Sequence, residues 1–263
     1  MAHLMGAEVI THEFPTKEVF SGVTVGINDG DRIGIVGRNG DGKSTLVKIL
    51  TKQFAPDTGR VTWRGGLRIG FLTQVDVIDD EISIAEAVVG DRPEFEWASD
   101  PKIRDVLSGL VADLDWPQKV GTLSGGQRRR VALAALLAGE YDVVFLDEPT
   151  NHLDVDGVAW LANHLQTRWP KNVGGLAVIT HDRWFLDAVC NLTWEVYGGR
   201  IEPFEGGYAA YVQQRAERSR QADAIESRRQ NLLRKELAWL GRGAPARTAK
   251  PKFRIDAALA LIG

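Results

Sequence analysis

Gly37-Arg38-Asn39-Gly40-Asp41-Gly42-Lys43-Ser44 follows the short apolar segment Arg32 to Val36 and leads into the helical spacing of Ser44 to Leu50. A strand that runs straight into a glycine loop and leaves through a helix is the setting in which this pattern cradles phosphate. The loop's backbone N–H groups and the helix N-terminus offer positive potential to an anion. Gly40 and Gly42 permit torsions and a close approach that side chains would block. In that frame Gly37, Asn39, Gly40 and Gly42 wrap the phosphates of ATP. Lys43 is expected to reach the β- and γ-phosphates, Ser44 to ligate Mg2+, and Thr45 to touch the α-phosphate. Asp41 is the odd residue, because a carboxylate beside phosphates repels them; it is expected to point outward.

Asp147 and Glu148 end the apolar run Val143-Val144-Phe145-Leu146. At the edge of a buried strand, Asp147 would orient Mg2+ through water and Glu148 would polarise the attacking water as a general base. Such catalysis is positioning and charge stabilisation rather than covalent chemistry. Without the glycine loop the pair would read as two solvated carboxylates. His181 follows the apolar segment Leu176 to Thr180, where a neutral imidazole would hold the γ-phosphate and the catalytic water. Gln74 closes the segment Leu67 to Thr73 and is an expected contact to Mg2+ or water, although glutamine alone carries little signal. Phe14 is open between stacking on adenine and a plain core role.

A second glycine-rich turn, Leu123-Ser124-Gly125-Gly126-Gln127, opens another helix. Ser124 is a good N-cap. Its hydroxyl and the following N–H groups form a second anion site. One ATP does not need two such sites in a single domain. A second copy of the domain, docked head to tail, would bring this turn onto the γ-phosphate held by its mate.

Strands are expected at Glu8 to Phe14, Val23 to Ile27, Arg32 to Val36, Tyr141 to Leu146 and Leu176 to Thr180. Val61-Thr62-Trp63 and Leu67 to Leu72 read as two strands of a hairpin turning at Gly65-Gly66. Helical spacing marks Ile82 to Val89, Ile103 to Leu114, Gly125 to Leu137, Val158 to Trp169 and Arg183 to Val189. This alternation predicts an α/β fold with a mainly parallel sheet covered on both faces and an antiparallel portion at the N-terminus. After Tyr208 the composition changes. Gln213 to Leu240 has no Gly or Pro, and Ile225, Leu232 and Trp239 recur every seven residues, which predicts a long amphipathic helix. Gly241, Gly243 and Pro245 end it, Arg247 to Arg254 is a basic loop, and Ile255 to Leu261 begins another helix. The expected division is residues 1–211 as one domain, with a helical part at about 80–139, and 212–263 as an incomplete basic helical linker.

At 263 residues and 44% apolar composition, the chain can bury a proper core. No stretch reaches the roughly 18 to 20 consecutive apolar residues that span a bilayer, and Met1 to Glu8 lacks the pattern of a signal peptide. The single Cys190 cannot form an internal disulfide, which fits a reducing cytoplasm; it reads as a small packed residue near a helix end. The net charge of −3 hides an asymmetry: Gln213 to Arg254 holds 12 Lys+Arg against 4 Asp+Glu, on an otherwise acidic body. A basic tail on an acidic body points to a polyanionic partner or to a solvated helix.

From Glu8 to Tyr211 these residues resemble an ATP-binding-cassette (ABC) ATPase. Gly37 to Ser44 is similar to Walker A, Gln74 to the Q-loop, and Ser124 to Gln127 to the family signature. Val143 to Asp147 resembles Walker B, and His181 the switch histidine. The resemblance implies a P-loop ABC-type nucleotide-binding domain with a mainly parallel core sheet, an antiparallel β subdomain, a small helical subdomain and a C-terminal helical linker. It also implies two cassettes that close on ATP and Mg2+ face to face, with Ser124, Gly125, Gly126 and Gln127 acting in trans. Glu148-Pro149-Thr150-Asn151-His152-Leu153-Asp154, with Asp154 at the D-loop position, is similar to the F subfamily (ABC-F), which lacks membrane domains. Thr180 to Leu186 and Glu236 to Thr248 resemble that group's switch region and interdomain linker, especially in the Uup-like branch.

Members of that subfamily act on the ribosome, where the linker approaches tRNA and rRNA, and some protect it from antibiotics. The resemblance therefore implies a cytoplasmic ATPase whose Arg242, Arg247, Lys250, Lys252 and Arg254 contact nucleic acid. Two departures bound it. Only 48 residues separate Gln74 from Leu123, too few for the arm insertion of some relatives. The second cassette is missing and the sequence stops in the linker, so a truncated or half-length chain is expected. Two rivals remain: the nucleotide-binding subunit of a membrane transporter, and a non-catalytic ATP-gated interaction module.

Overall fold

Val143–Asp147 is buried at every position, which requires apolar cover on both faces of the strand. The computed structural model describes residues 2–15, 17–73 and 78–241. In chain order its elements are β1 (His3–Phe14), β2 (Lys17–Asn28), β3 (Arg32–Val36), α1 (Lys43–Leu50), β4 (Thr58–Trp63), β5 (Ile69–Leu72), α2 (Ile84–Val89), α3 (Glu94–Ser99), α4 (Pro101–Leu110), α5 (Gly125–Ala138), β6 (Val143–Asp147), α6 (Val155–Thr167), β7 (Gly175–Ile179), α7 (Arg183–Val189), β8 (Leu192–Tyr197), β9 (Arg200–Glu205) and α8 (Tyr208–Gly241). The chain divides between Tyr211 and Val212 into two units.

Two sheets build the first unit. Six strands run in the order β5-β6-β7-β3-β8-β9, and three in the order β2-β1-β4. The large sheet is parallel except for the β8–β9 pair. The small sheet is antiparallel. Period-two alternation sends successive residues of the central strands to opposite cores. Val143 and Phe145 of β6, with Ala177 and Ile179 of β7, join α1 and the small sheet. Val144, Leu146, Leu176 and Val178 face the core that holds α2, α4, α5, α6 and α7. Each fully buried Phe, Leu or Ile contributes on the order of 1.5–3 kcal/mol of transfer free energy. The helices α2 to α5 all lie in the connection between the neighbouring strands β5 and β6.

The hairpin expected at Gly65-Gly66 does not form. The turn itself is present, with the Leu67 N–H donating to the Arg64 carbonyl at 3.2 Å. Its two arms part: β4 pairs with β1 in the small sheet, and β5 pairs with β6 in the large one. Glycines set the turn, whereas the buried apolar edge of β6 captures β5. A true hairpin sits elsewhere, where Gly198 (φ 53°) and Gly199 (φ 75°) join β8 and β9. The flanking segments were not expected as strands, nor was α3.

Cys190 caps the end of α7 and is buried against Gly34 of β3. Burial pushes its thiol up to about 12, so it is an inert packing group. The long helix α8 begins five residues before the expected start. Asp187 of α7 accepts the Ala209 N–H at 2.8 Å, and the Arg183 guanidinium lies over the Tyr208 ring. These contacts satisfy one backbone donor of the helix's first turn and cover its Tyr208 ring. Ile225 and Leu232 of the seven-residue stripe are exposed in the second unit. The expected helix at Ile255 to Leu261 lies outside the described residues.

Candidate nucleotide site

The strand β3 ends at Val36 beneath the glycine loop, and α1 rises from it at Lys43. Two glycines are required by geometry. Gly37 (φ 150°) passes so close to β8 that a Cβ would stand 2.4 Å from the Val196 carbonyl oxygen. Gly42 (φ 104°) is the left-handed N-cap of α1, and a Cβ there would stand 2.4 Å from Val19 Cγ1. The Arg38 N–H is spent on Asp41 Oδ2 and the Asp41 N–H on the Arg38 carbonyl, so the positive potential offered to an anion comes from the remaining N–H groups and the start of α1.

Lys43 is buried, and its ammonium donates to the carbonyl oxygens of Gly37 and Arg38 at 2.9 and 3.0 Å. Phosphate oxygens are stronger partners for a lysine than neutral carbonyls, so a phosphate brought within reach would compete for this ammonium. Ser44 Oγ donates to Asp147 Oδ2 at 2.9 Å. That bond joins the start of α1 to the end of β6 and gathers hard oxygen donors on a buried strand end. Such a set fits Mg2+, which takes one or two protein oxygens and completes its shell with water and phosphate. Among the described residues no group of three or more His, Cys, Asp and Glu forms a cage of its own. Gln74 lies outside the described residues.

Asp41 does not point outward. Its Oδ2 accepts the Arg38 N–H at 3.1 Å and its Oδ1 lies 3.8 Å from the Lys17 ammonium. The acid folds back onto its own loop because a backbone donor and a cation are both within reach.

Glu148 follows β6 in the left-handed region (φ 51°), where non-glycine residues are uncommon and sit at a cost. Its N–H donates to the Ile179 carbonyl at 2.7 Å. Its carboxylate lies 3.5 Å from His181 Nε2, with the imidazole largely exposed. Phe14, Asn39, Gly40, Gly42, Lys43, Ser44, Thr45, Glu148 and His181 line one pocket of about 540 Å³. Phe14 is 43% exposed at its rim, which sets aside the plain core role.

The pocket also includes Asn151, quoted above only as a mark of the subfamily, and Lys17 and Val19, which motif reading passed over. Arg129 was missed as well. It is buried on α5, and its guanidinium donates to the Thr73 and Asp147 carbonyl oxygens. It ties the helix that begins at Ser124 to the end of β6. The signal was there: Arg129, Leu133, Leu136 and Leu137 share one helix face, so a cation stands on an apolar stripe. Its neighbours have different fates. Arg128 pairs with Asp80, and Arg130 grips Asp113 with two hydrogen bonds, which hold that carboxyl below its ordinary range.

Ser124 caps α5 in a capping box. Its Oγ accepts the Gln127 N–H at 3.3 Å, and Gln127 Oε1 accepts the Ser124 N–H at 2.9 Å. Gly125 and Gly126 form the first turn, and Gly126 packs beside His152. None of these four residues lines the pocket that holds Lys43. Asp154 caps α6 by accepting the Gly157 N–H at 2.8 Å. Arg242, Arg247, Lys250, Lys252 and Arg254 lie outside the described residues.

A family model described as ABC transporter matches residues 20–151, half of the chain. The chain belongs to the ATP-binding-cassette family. A second, extension model with the same description matches residues 194–257 of this cassette. Family membership supports ATP binding and hydrolysis as the general activity. Among curated relatives, the uncharacterized ABC transporter ATP-binding protein YfmR of Bacillus subtilis is 35% identical over 295 residues, covering 96% of this chain and 46% of its own length. That aligned span exceeds the whole chain, so the relative carries insertions. The energy-dependent translational throttle protein EttA is 33% identical in Haemophilus influenzae (92% of this chain, 50% of the relative) and 33% identical in Mycobacterium tuberculosis (91% and 49%). The cassette thus spans about half the length of these relatives. The two family models together with EttA are consistent with an ABC-F cassette.

The fold agrees with solved ABC cassettes. The archaeal ribosome recycling factor aABCE1, in complex with ribosomal stalk protein aP1, superposes with TM-score 0.70 at 26% identity, covering 82% of this chain and 42% of that one. The ATP-binding subunit of an ABC transporter superposes with TM-score 0.65 at 18% identity, covering 77% and 90%. No helix of the described residues is long and apolar enough to cross a membrane.

Proposed function

We propose that this chain is the ATP-hydrolysing cassette of an ABC-F protein, of the Uup-like kind, that acts on the ribosome from the cytoplasm. The observation that carries the catalytic half is the single pocket joining Phe14, the glycine loop, Glu148 and His181. Phe14 stacks on adenine, Lys43 takes the β- and γ-phosphates, and Thr45 takes the α-phosphate. Ser44 would ligate Mg2+ and Asp147 would orient it through water, with Gln74 as a further contact to the metal or its water. When bound, Mg2+ supplies neutralising charge at the phosphate oxygens. Glu148 takes the proton of the attacking water on its carboxylate, and His181 orients both that carboxylate and the γ-phosphate. Positioning and electrostatics supply the acceleration.

Ser124 to Gln127 do not line this pocket; the Ser124 and Gln127 N–H groups close the capping box, which leaves the Ser124 hydroxyl and the Gly125 and Gly126 N–H groups to suit a phosphate. They serve the nucleotide held by a second cassette, whether another copy of this chain or a different one, and Asp154 lies in the same interface. The ribosomal half is supported by the resemblance to EttA, whose name makes it a translational throttle, and by the exposed arginines of α8. Residues 212–263 would then be a basic linker that meets rRNA or tRNA backbone. ATP-dependent cosedimentation with ribosomes is expected to fall steeply between 50 and 200 mM salt, because ion release dominates such contacts. Salt-insensitive cosedimentation would remove the electrostatic linker contact.

A transporter subunit is the second reading, favoured by the description of the matching family models and by the transporter cassette that shares the fold. Glu148→Gln chains used as bait in a lysate separate the two readings. Ribosomal RNA in the captured material supports the first, and a membrane permease supports the second.

A further inference from the structure

Lys17 lies outside every motif named above, yet it lines the pocket beside Phe14, Asn39 and Lys43. It is the first residue of β2 and pairs with Phe14 across the β1–β2 turn. Its ammonium donates to the Gly40 carbonyl oxygen at 2.7 Å and lies 3.8 Å from Asp41 Oδ1. The other Asp41 oxygen accepts the Arg38 N–H. The acid in the phosphate loop is thereby turned back and neutralised by a cation that reaches the loop from the other sheet. A lysine ammonium has three donors on a flexible stem. Gly40 engages one of them, and the side chain is 54% exposed, so it can turn without leaving the loop.

We propose that Lys17 is a second phosphate-directed cation of the ATP site, and that Asp41 sets its strength by competing for the same ammonium. This rests on the reading of the pocket as an ATP site. In the free cassette, Lys17 is held against the loop by Gly40 and Asp41. When a polyphosphate enters, its oxygens, more strongly charged than a carbonyl, draw the ammonium over. Asp41 opposes that transfer twice, by holding the ammonium and by repelling the phosphates. A mere staple, in which Lys17 only stiffens the loop, differs from this in sign. Loosening a staple from either end weakens binding, whereas neutralising a competitor strengthens it.

The test is equilibrium binding of Mg-ATP by calorimetry to the wild-type chain, Lys17→Met, Asp41→Asn and the double variant, each with a melting curve as a folding control. Methionine keeps the apolar stem without the charge. Asparagine keeps the oxygen that accepts the Arg38 N–H. Lys17→Met is expected to weaken binding about tenfold, and Asp41→Asn to tighten it about threefold, in line with partly exposed charge-assisted contacts. Asp41→Asn should tighten much less once Lys17→Met is present. Any other pattern overturns the proposal, in particular Lys17→Met without effect or both single variants weakening binding. A folded wild-type chain that binds no Mg-ATP at all would instead overturn the ATP-site reading beneath it.

Discussion

Glu148→Gln is expected to lower ATP turnover by about 10²- to 10⁴-fold, the range for loss of a positioned general base, while ATP still binds. Among the described residues, Glu148 is the one carboxylate that lines the pocket, and it lies 3.5 Å from His181. Glutamine matches its shape and can still fill the left-handed site (φ 51°), but it cannot accept a proton from water. Binding and chemistry should therefore separate. Steady-state phosphate release reads the loss, and calorimetry reads the unchanged or tighter affinity. Turnover that survives the substitution would mean that another group takes the proton. With hydrolysis blocked, ATP-bound pairs should accumulate, which gel filtration with and without ATP would detect. This result would also dispose of the non-catalytic module, since the wild-type chain would have to hydrolyse for the variant to lose anything.

Lys43→Met is expected to weaken ATP binding about 100-fold and to abolish measurable turnover. Charged hydrogen bonds of this kind are worth about 1.5–3 kcal/mol each, and the ammonium has two partners to exchange for phosphate oxygens. Those partners, the Gly37 and Arg38 carbonyls, lose a donor in the variant. Some loosening of the loop will accompany the loss, offset by removal of a buried charge. The melting temperature without nucleotide should therefore move little, while the upward shift caused by Mg-ATP in the wild type should vanish. A Lys43→Met chain that is still stabilised by Mg-ATP as strongly as the wild type would displace Lys43 from the phosphates.

Much of this arrangement was legible in the sequence because it rests on local rules. β3 and α7 have their expected bounds, since an apolar run before a glycine loop and a clear helical spacing leave little choice, and in the structure Asp182 caps that helix. The capping box at Ser124 was readable as an N-cap for the same reason. Non-local pairing was not legible. Gly65-Gly66 makes a turn, but whether its arms pair with each other depends on β1 and β6, which lie far away in the chain. The β8–β9 hairpin was not among the expected elements: Gly198-Gly199 makes its turn, but Pro203 interrupts the strand pattern that follows.

Site residues follow the same division. The glycine loop, Asp147, Glu148 and His181 could be placed because each ends or follows a strand of one sheet, and parallel strands bring such ends to one edge. Asp41 could not be oriented, because its cation comes from β2 in the other sheet. Lys17 was invisible for that reason. Arg129 was hidden within the run Arg128-Arg129-Arg130, whose three members point to different partners.

Composite sites can be tested most directly by mixing two inactive chains. Lys43→Met keeps Ser124 but cannot hold phosphate, and Ser124→Arg keeps Lys43 but cannot serve its mate. Pairs of either chain alone contain no complete site, whereas a mixed pair contains one. Head-to-tail pairing predicts that ATPase activity returns on mixing and peaks near equal proportions. No recovery at any ratio or concentration, with wild-type activity that is independent of protein concentration, would contradict it.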